Sequence, residues 1–245
     1  MPVKVCVTAS EKSLEDNARK LAASLKVDFV TDIPNTDFVL MMTKEKLELF
    51  KPKVRTKPLY VDFSSFKLRQ GREPVVKATG LKNNHPLSIL DLTAGLGQDA
   101  FVLASAGCSV TMCERSKVIA ALLQDGLKRA LQDEKLNPIV RRMRLVQQDG
   151  FDFLQNLEDK PDVIYLDPMY PGSGKSAAKR KSMAFFRELV GDDLDAGGLL
   201  GEAQVKALER VIVKRPLKAQ PLNGQKPNFS LKGKTTRFDI YLSHA

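Results

Sequence analysis

A doubly wound, Rossmann-like α/β sheet behind a small N-terminal α+β domain is the fold class the sequence predicts, and three observations carry it. From residue 87 onward, short apolar runs that read as strands alternate with helical patterns. The first of these strands ends in Asp91 and opens into Thr93-Ala94-Gly95-Leu96-Gly97, a turn with two glycines ahead of an apolar helix. The fourth, Val163-Ile164-Tyr165-Leu166, runs straight into Asp167-Pro168. Strands joined through helices imply right-handed crossovers, hence a mostly parallel sheet covered on both faces that binds ligands at its carboxyl end.

Element by element, Val3 to Val7 reads as a strand, and Ser10 as the N-cap of a helix running to Leu25 with Leu14, Ala18, Leu21, Ala22 and Leu25 on one face. Phe38 to Met42 and Leu59 to Phe63 are two further expected strands, separated by a helical turn at Glu45 to Phe50. These make a small domain over 1–64. A basic connecting segment, 65–86, follows, helical at Pro74 to Thr79. The core domain, 87–245, has expected strands at Leu87 to Asp91, Ser109 to Cys113, Arg144 to Gln147, Val163 to Leu166 and Val211 to Val213. Its helices are expected at Asp99 to Ala106, Val118 to Leu131, Phe151 to Leu157, Ser182 to Val190 and Glu202 to Leu208. Phe238 to Leu242 is expected as a closing antiparallel strand at the sheet edge.

Composition narrows the function class. No apolar run reaches the roughly 18 to 20 residues of a membrane span, and the stretch from Met1 to Val7 is too soon charged for a signal peptide. A soluble cytoplasmic protein is expected. The cysteines Cys6, Cys108 and Cys113 form no CxxC pair, so reduced buried thiols are expected and no metal site is indicated. Neither His85 nor His244 sits where a catalytic base would. Lysine and arginine total 39 against 29 acids, a net charge of +10. The windows 65–82, 172–181 and 214–237 hold 5, 4 and 7 basic residues against the single acid Glu73, so they carry +15 and the remainder −5. Most charge runs are solvated faces, but three on an otherwise acidic chain favour a polyanionic partner.

Gly95-Leu96-Gly97-Gln98-Asp99-Ala100 fits G-x-G-x-x-G/A, and Glu114 ends the second strand, where an acid binds ribose. That much serves NAD and S-adenosylmethionine alike. Asp91 tilts the choice: a carboxylate facing the centre of the site repels a dinucleotide's phosphates and welcomes a cationic sulfonium. The pattern D-x-x-x-G-x-G with an acid after the second strand resembles that of class I methyltransferases. The resemblance implies that Glu114 binds the ribose hydroxyls, that the Gly95 to Gly97 turn passes under the cofactor, and that Asp149 lies near the adenine.

Asp167-Pro168-Met169-Tyr170-Pro171 resembles the (D/N/S)-P-P-(Y/F/W) motif of amino-directed methyltransferases, with Met169 at the second proline. An exocyclic base nitrogen delocalises its lone pair into the ring, so it attacks a methyl sulfonium only when its N–H groups are held and its plane is fixed. Asp167 and the Pro168 carbonyl supply acceptors, and Tyr170 can stack on the base. Gly172-Ser173-Gly174-Lys175-Ser176 looks like the end of a P-loop, but Met169 falls on its first glycine and Pro171 removes a backbone donor. A basic loop touching a phosphate backbone fits Lys175, Lys179, Arg180 and Lys181 better.

Taken together, Asp91 to Ser105, Cys113-Glu114-Arg115, Val163 to Pro171, Leu189 to Leu200, Val213 to Pro216 and Arg237-Phe238-Asp239-Ile240-Tyr241 resemble the ribosomal RNA small-subunit methyltransferase J family. Val61-Asp62-Phe63 in the N-terminal domain adds to the likeness. That resemblance implies S-adenosylmethionine as cofactor and methylation of the exocyclic N2 of a guanosine in small-subunit (16S) ribosomal RNA. It implies cofactor contacts at Gln98-Asp99, Glu114-Arg115, Asp149-Gly150 and Asp167, beside the Asp91, Gly95 and Gly97 read above. Gln98 stands where the family commonly has arginine, and Asp149-Gly150 where it has small hydroxyl residues. Asp167, Pro168 and Tyr170 are the expected catalytic residues. Lys67, Arg69, Arg72, Lys175, Lys179, Arg180, Lys181, Lys214 and Arg215 are the expected phosphate contacts. An NAD-dependent oxidoreductase and a non-enzymatic RNA-binding module are the competing classes.

Overall fold

A computed structural model describes residues 3–33, 35–54, 57–66, 73–82, 85–169, 188–189 and 196–243. The N-terminal part builds a four-stranded sheet from β1 (Val5–Ala9), β2 (Asp28–Phe29), β3 (Phe38–Met42) and β4 (Leu47–Phe50), in the order β2-β1-β3-β4. Helix α1 (Glu15–Leu25) packs on it through Ala18 and Ala22. Three expectations are corrected here. The segment expected as a helical turn is strand β4, because Leu47 and Leu49 are buried in alternation with Glu48 and Phe50, a period of two, and the segment pairs antiparallel with β3. Leu59 to Phe63 is not a strand; Leu59 makes one isolated bridge to Leu49. Ser10 does not cap α1, which is preceded by a 3-10 turn at Lys12–Leu14.

Helix α2 (Pro74–Thr79) starts with proline at a position that needs no N–H donor and ends at Gly80, whose φ of 74° only glycine adopts readily. The second sheet then forms from β5 (Ser88–Asp91), β6 (Ser109–Cys113), β7 (Met143–Val146), β8 (Val163–Leu166), β9 (Arg210–Pro216), β10 (Phe229–Lys232) and β11 (Thr236–Leu242). Its order is β10-β11-β9-β8-β5-β6-β7. The five strands from β5 to β9 run parallel. Strand β11 is antiparallel as expected but is not the edge: it lies between β9 and β10, so β10 takes the edge. The pattern Phe229-Ser230-Leu231-Lys232 is too short and mixed to announce a strand, and pairing with β11 makes it one.

Helices α3 (Gln98–Ser105), α4 (Lys117–Ala130), α5 (Asn137–Val140), α6 (Gly150–Gln155) and α7 (Ala196–Lys206) cover the faces. Successive strand residues point to opposite sides. Ile89, Val163, Tyr165 and Ile212 therefore join one apolar cluster with α3 and α4, while Leu90, Ile164, Leu166, Val211 and Val213 join another with Leu154 of α6 and Leu200 and Ala203 of α7. The first cluster continues into the N-terminal sheet through Val7, Phe38 and Leu40. Phe63 stacks on Phe101 with centroids 4.8 Å apart, a pair worth about 0.5 to 1.5 kcal/mol beyond its buried area. Arg129 of α4 donates to the Val61 carbonyl, and the Leu47 N–H donates to Asp125 at 3.1 Å. All three cysteines are buried free thiols, and burial pushes Cys113 up to about 12. The expected helix from Ser182 to Val190 lies, apart from 188–189, outside the described residues.

Candidate active site

The chain lays β6 and β7 on one side of β5, then crosses to lay β8 and β9 on the other. The gap between the carboxyl ends of β5 and β8 is the point where such sheets take their ligands. Asp91 closes β5 and Asp167 follows β8 directly, so both carboxylates stand at that gap. Thr93 ties them together. Its N–H donates to Asp91 Oδ1 at 2.9 Å, its hydroxyl lies 3.4 Å from the same oxygen, and its Oγ1 accepts the Asp167 N–H at 2.6 Å.

Asp91 is buried, and burial raises its pKa to about 8 against the lowering effect of the Thr93 N–H; Asp99 and Asp167 raise it further. A carboxyl so placed waits for a cation. On its other flank, the glycine turn is held from beneath: the Gly95 N–H donates to Glu114 Oε2 at 2.9 Å and the Ser116 N–H to Oε1 at 2.7 Å. Gly95 and Gly97 have φ of 54° and 72°, and a Cβ on Gly97 would lie 2.7 Å from Leu123 Cδ1. Both glycines are thus required by the backbone before any ligand is considered.

Asp149 caps α6, accepting the N–H of Phe151 at 2.8 Å and of Asp152 at 3.4 Å. A Cβ on Gly150 would come 2.6 Å from the Leu92 carbonyl, so the glycine lets α6 close onto the loop after β5. Gln98 opens α3 and lines a cavity of about 250 Å³ with Tyr60, Asp62, Ser65, Phe66 and Leu96. Arg115 follows Glu114 and is half-buried.

The β8 side is built from charges. Lys214, on β9, places Nζ 2.5 Å from Asp99 Oδ2 and 2.9 Å from Asp167 Oδ2. The buried Tyr165 hydroxyl donates to the same Asp99 oxygen at 2.6 Å. Burial works against the charge of Lys214, but Asp167 and Asp99 outweigh it and push its pKa up. Among the described residues no group of three or more His, Cys, Asp or Glu side chains is arranged to hold a metal ion.

These placements revise two expected phosphate contacts. Lys214 points into the site between two carboxylates. Arg215 is buried and donates through Nε and Nη2 to the Gln220 carbonyl. Arg237 is likewise internal: it forms a two-pronged pair with Asp239 and donates to the carbonyls of Pro216, Leu217 and Ala219. The exposed cations at this end are instead Lys218, just after β9, Lys232 at the end of β10, and Lys234 in the turn to β11. Only their basic window was legible beforehand. Pro168 is buried and Met169 half-buried, while Tyr170, Lys67, Arg69, Arg72, Lys175, Lys179, Arg180 and Lys181 lie outside the described residues.

A family model described as a putative SAM-dependent methyltransferase matches residues 6–243. Ribosomal RNA small subunit methyltransferase J of Thioalkalivibrio sulfidiphilus is 44% identical over 250 residues, covering 98% of each chain. The chain belongs to the ribosomal RNA small-subunit methyltransferase J family. Its Aeromonas salmonicida relative of the same name is 46% identical over 243 residues, covering 95% of this chain and 97% of its own. A solved SAM-dependent methyltransferase from Neisseria gonorrhoeae superposes with a TM-score of 0.76 at 31% identity, across 98% of this chain and 97% of that one.

As a family member the enzyme uses S-adenosylmethionine, and its residues fit that cofactor. Membership of this family removes the NAD alternative. Asp91 is buried at the end of its strand, and Glu114, at the end of the neighbouring strand, is buried with its two oxygens accepting the Gly95 and Ser116 N–H groups.

Proposed function

We propose that the protein transfers a methyl group from S-adenosylmethionine to the exocyclic N2 of a guanosine in small-subunit (16S) ribosomal RNA. The observation that carries this reading is the placement of Asp167, fixed by its own N–H on Thr93, one strand from the buried Asp91. When bound, the cofactor supplies a methyl group on a sulfonium, electrophilic enough for a weak nitrogen nucleophile. Asp167 and the Pro168 carbonyl accept the N–H groups of the amino nitrogen and hold it in line. Tyr170 stacks on the base and fixes its plane. Asp167 stands ready to take the proton that nitrogen sheds once it has become positive, so no separate strong base is required.

The names of the relatives support ribosomal RNA of the small subunit as substrate, and a ribosomal substrate agrees with the absence, among the described residues, of any helix long and apolar enough to cross a membrane. A cytoplasmic location follows from that substrate. Lys67, Arg69, Arg72 and the Lys175 to Lys181 loop remain the proposed phosphate contacts, joined by Lys218, Lys232 and Lys234 in place of Lys214 and Arg215. The test is methyl transfer from labelled cofactor onto small subunits from a strain lacking the enzyme, followed by nucleoside mass spectrometry. N2-methylguanosine is expected. Label on a ring nitrogen, a ribose hydroxyl or adenine overturns the assignment, and salt-sensitive RNA binding with no label at all would leave only an RNA-binding module.

A further inference from the structure

A lysine drawn into a methyltransferase site needs explaining, because an ammonium beside the binding place of a cationic cofactor works against binding unless it is tied up elsewhere. Lys214 is tied up twice. Its Nζ bridges Asp99 Oδ2 at 2.5 Å and Asp167 Oδ2 at 2.9 Å, and Asp99 is itself anchored by the Tyr165 hydroxyl at 2.6 Å. The lysine comes from β9, Tyr165 and Asp167 from β8 and its end, and Asp99 from the first turn of α3. Three elements therefore converge on one ammonium. The side chain of Asp167 is 40% exposed whereas that of Lys214 is 24% exposed, so the carboxylate faces the substrate side and the lysine stands behind it.

We infer that Lys214 is a positioning residue for methyl transfer: it fixes the plane of the Asp167 carboxylate and keeps it charged for the substrate amino group, with Asp99 and Tyr165 as its anchor. This deepens the proposed role of Asp167 and rests on it. The bond to Thr93 fixes the backbone of Asp167 but does not set χ1 and χ2, and the ion pair to Lys214 restrains them. An acceptor that wanders by about 1 Å loses on the order of 100-fold in rate without much change in ground-state binding. A lysine that served RNA phosphates would behave in the opposite way, changing affinity and its salt dependence and sparing turnover.

The experiment compares Lys214→Met, Lys214→Arg and Asp167→Ala, each checked by thermal unfolding. Three quantities are read: S-adenosylhomocysteine affinity by calorimetry, RNA affinity as a function of salt, and single-turnover methyl transfer at saturating ligands. For Lys214→Met, cofactor-product affinity is expected within about threefold, an unchanged salt slope, and turnover down on the order of 100-fold. Lys214→Arg, which keeps the charge and can still span two carboxylates, is expected to recover at least about tenfold of that loss. Full turnover in Lys214→Met overturns the inference, as does a salt slope reduced by about one with turnover intact. If Lys214→Met fails to fold, the inference rests on Lys214→Arg: turnover at the wild-type level or reduced by no more than about tenfold supports it, and a collapse equal to that of Asp167→Ala with intact folding overturns it. Turnover retained in Asp167→Ala, by contrast, removes Asp167 itself and is a separate failure.

Discussion

The two flanks of the site hold their carboxylates by different means. On the β5–β6 flank, Asp91 and Glu114 are held by backbone N–H groups of Thr93, Gly95 and Ser116, partners 2 to 19 residues away. On the β8–β9 flank, Asp167 and Asp99 are held by the Lys214 ammonium and the Tyr165 hydroxyl, partners 47 to 115 residues away. Amides fix position without adding net charge, and burial, outweighing the lowering effect of the Thr93 N–H, raises the Asp91 pKa to about 8. An ammonium fixes position and charge together. The β5–β6 flank is thus poised to become charged when a cation binds, whereas the β8–β9 flank already holds its ion pairs.

The largest test of that division is Asp167→Ala. Methyl transfer is expected to fall by about 10³-fold, the scale of losing one oriented polar group at a reacting centre, while S-adenosylhomocysteine affinity changes only a few-fold. Equal losses in both would mean that Asp167 serves the cofactor flank instead. Next in size is Asp91→Asn, which is expected to weaken S-adenosylmethionine binding by about 30-fold or more at pH 8.5, where the wild-type carboxyl is ionised. The linkage has a definite sign. Because the folded pKa, about 8, lies above the unfolded value, the folded protein holds a proton that the unfolded chain has released between roughly pH 4 and 8. Apo-protein stability therefore declines as pH rises through that window, and Asp91→Asn should flatten the decline. Below pH 8, cofactor binding should release a proton in the wild type and none in the variant, as calorimetry in buffers of different ionisation heat would show.

Smaller again is Gly97→Ala, which strains a backbone at φ 72° and drives a methyl group to 2.7 Å from Leu123 Cδ1. A loss of about 1 to 3 kcal/mol in denaturant unfolding is expected, with cofactor affinity reduced in parallel. Unfolding unchanged within error would show that the turn relaxes without cost, and that its glycines serve the ligand alone.

The same contrast explains what the sequence made legible. Glycine spacing, the acid ending each strand and the Asp167-Pro168 step are local patterns, and β6, β8 and α2 fall where their residues predict them. Lys214 was read as a surface cation because nothing within ten residues of it names its partners; only the strand order, which sets β9 beside β8, brings it to Asp167. Arg215 was misjudged for the same reason: a run of basic residues on paired strands is split by the pleat and by neighbouring carbonyls into buried members, Arg215 and Arg237 among them, and exposed ones. The edge was misplaced because β10 alternates over only four residues, Phe229 to Lys232, too few to announce a strand without its pairing with β11. Leu47 to Phe50 shows the limit from the other side, since four residues fit a helical turn and a strand equally and the neighbour β3 decides.

The smallest effects belong to the rim. Lys218, Lys232 and Lys234 are exposed at the carboxyl end of the sheet, where β9 ends and β10 turns into β11, on the Lys214 side of Asp167. If they meet phosphates, replacing each by glutamine should weaken RNA binding uniformly across sequences and lower the slope of log affinity against log salt by about 0.7 to 0.9 per residue, with turnover at saturating RNA unchanged. The Lys214 substitution should leave that slope alone and change turnover instead. A rim substitution that lowers turnover while sparing the slope would erase the distinction between a charge that gathers the substrate and a charge that holds the catalytic carboxylate. Separate responses would show that lysines on and just beyond β9 and β10 have been divided between the two tasks by burial.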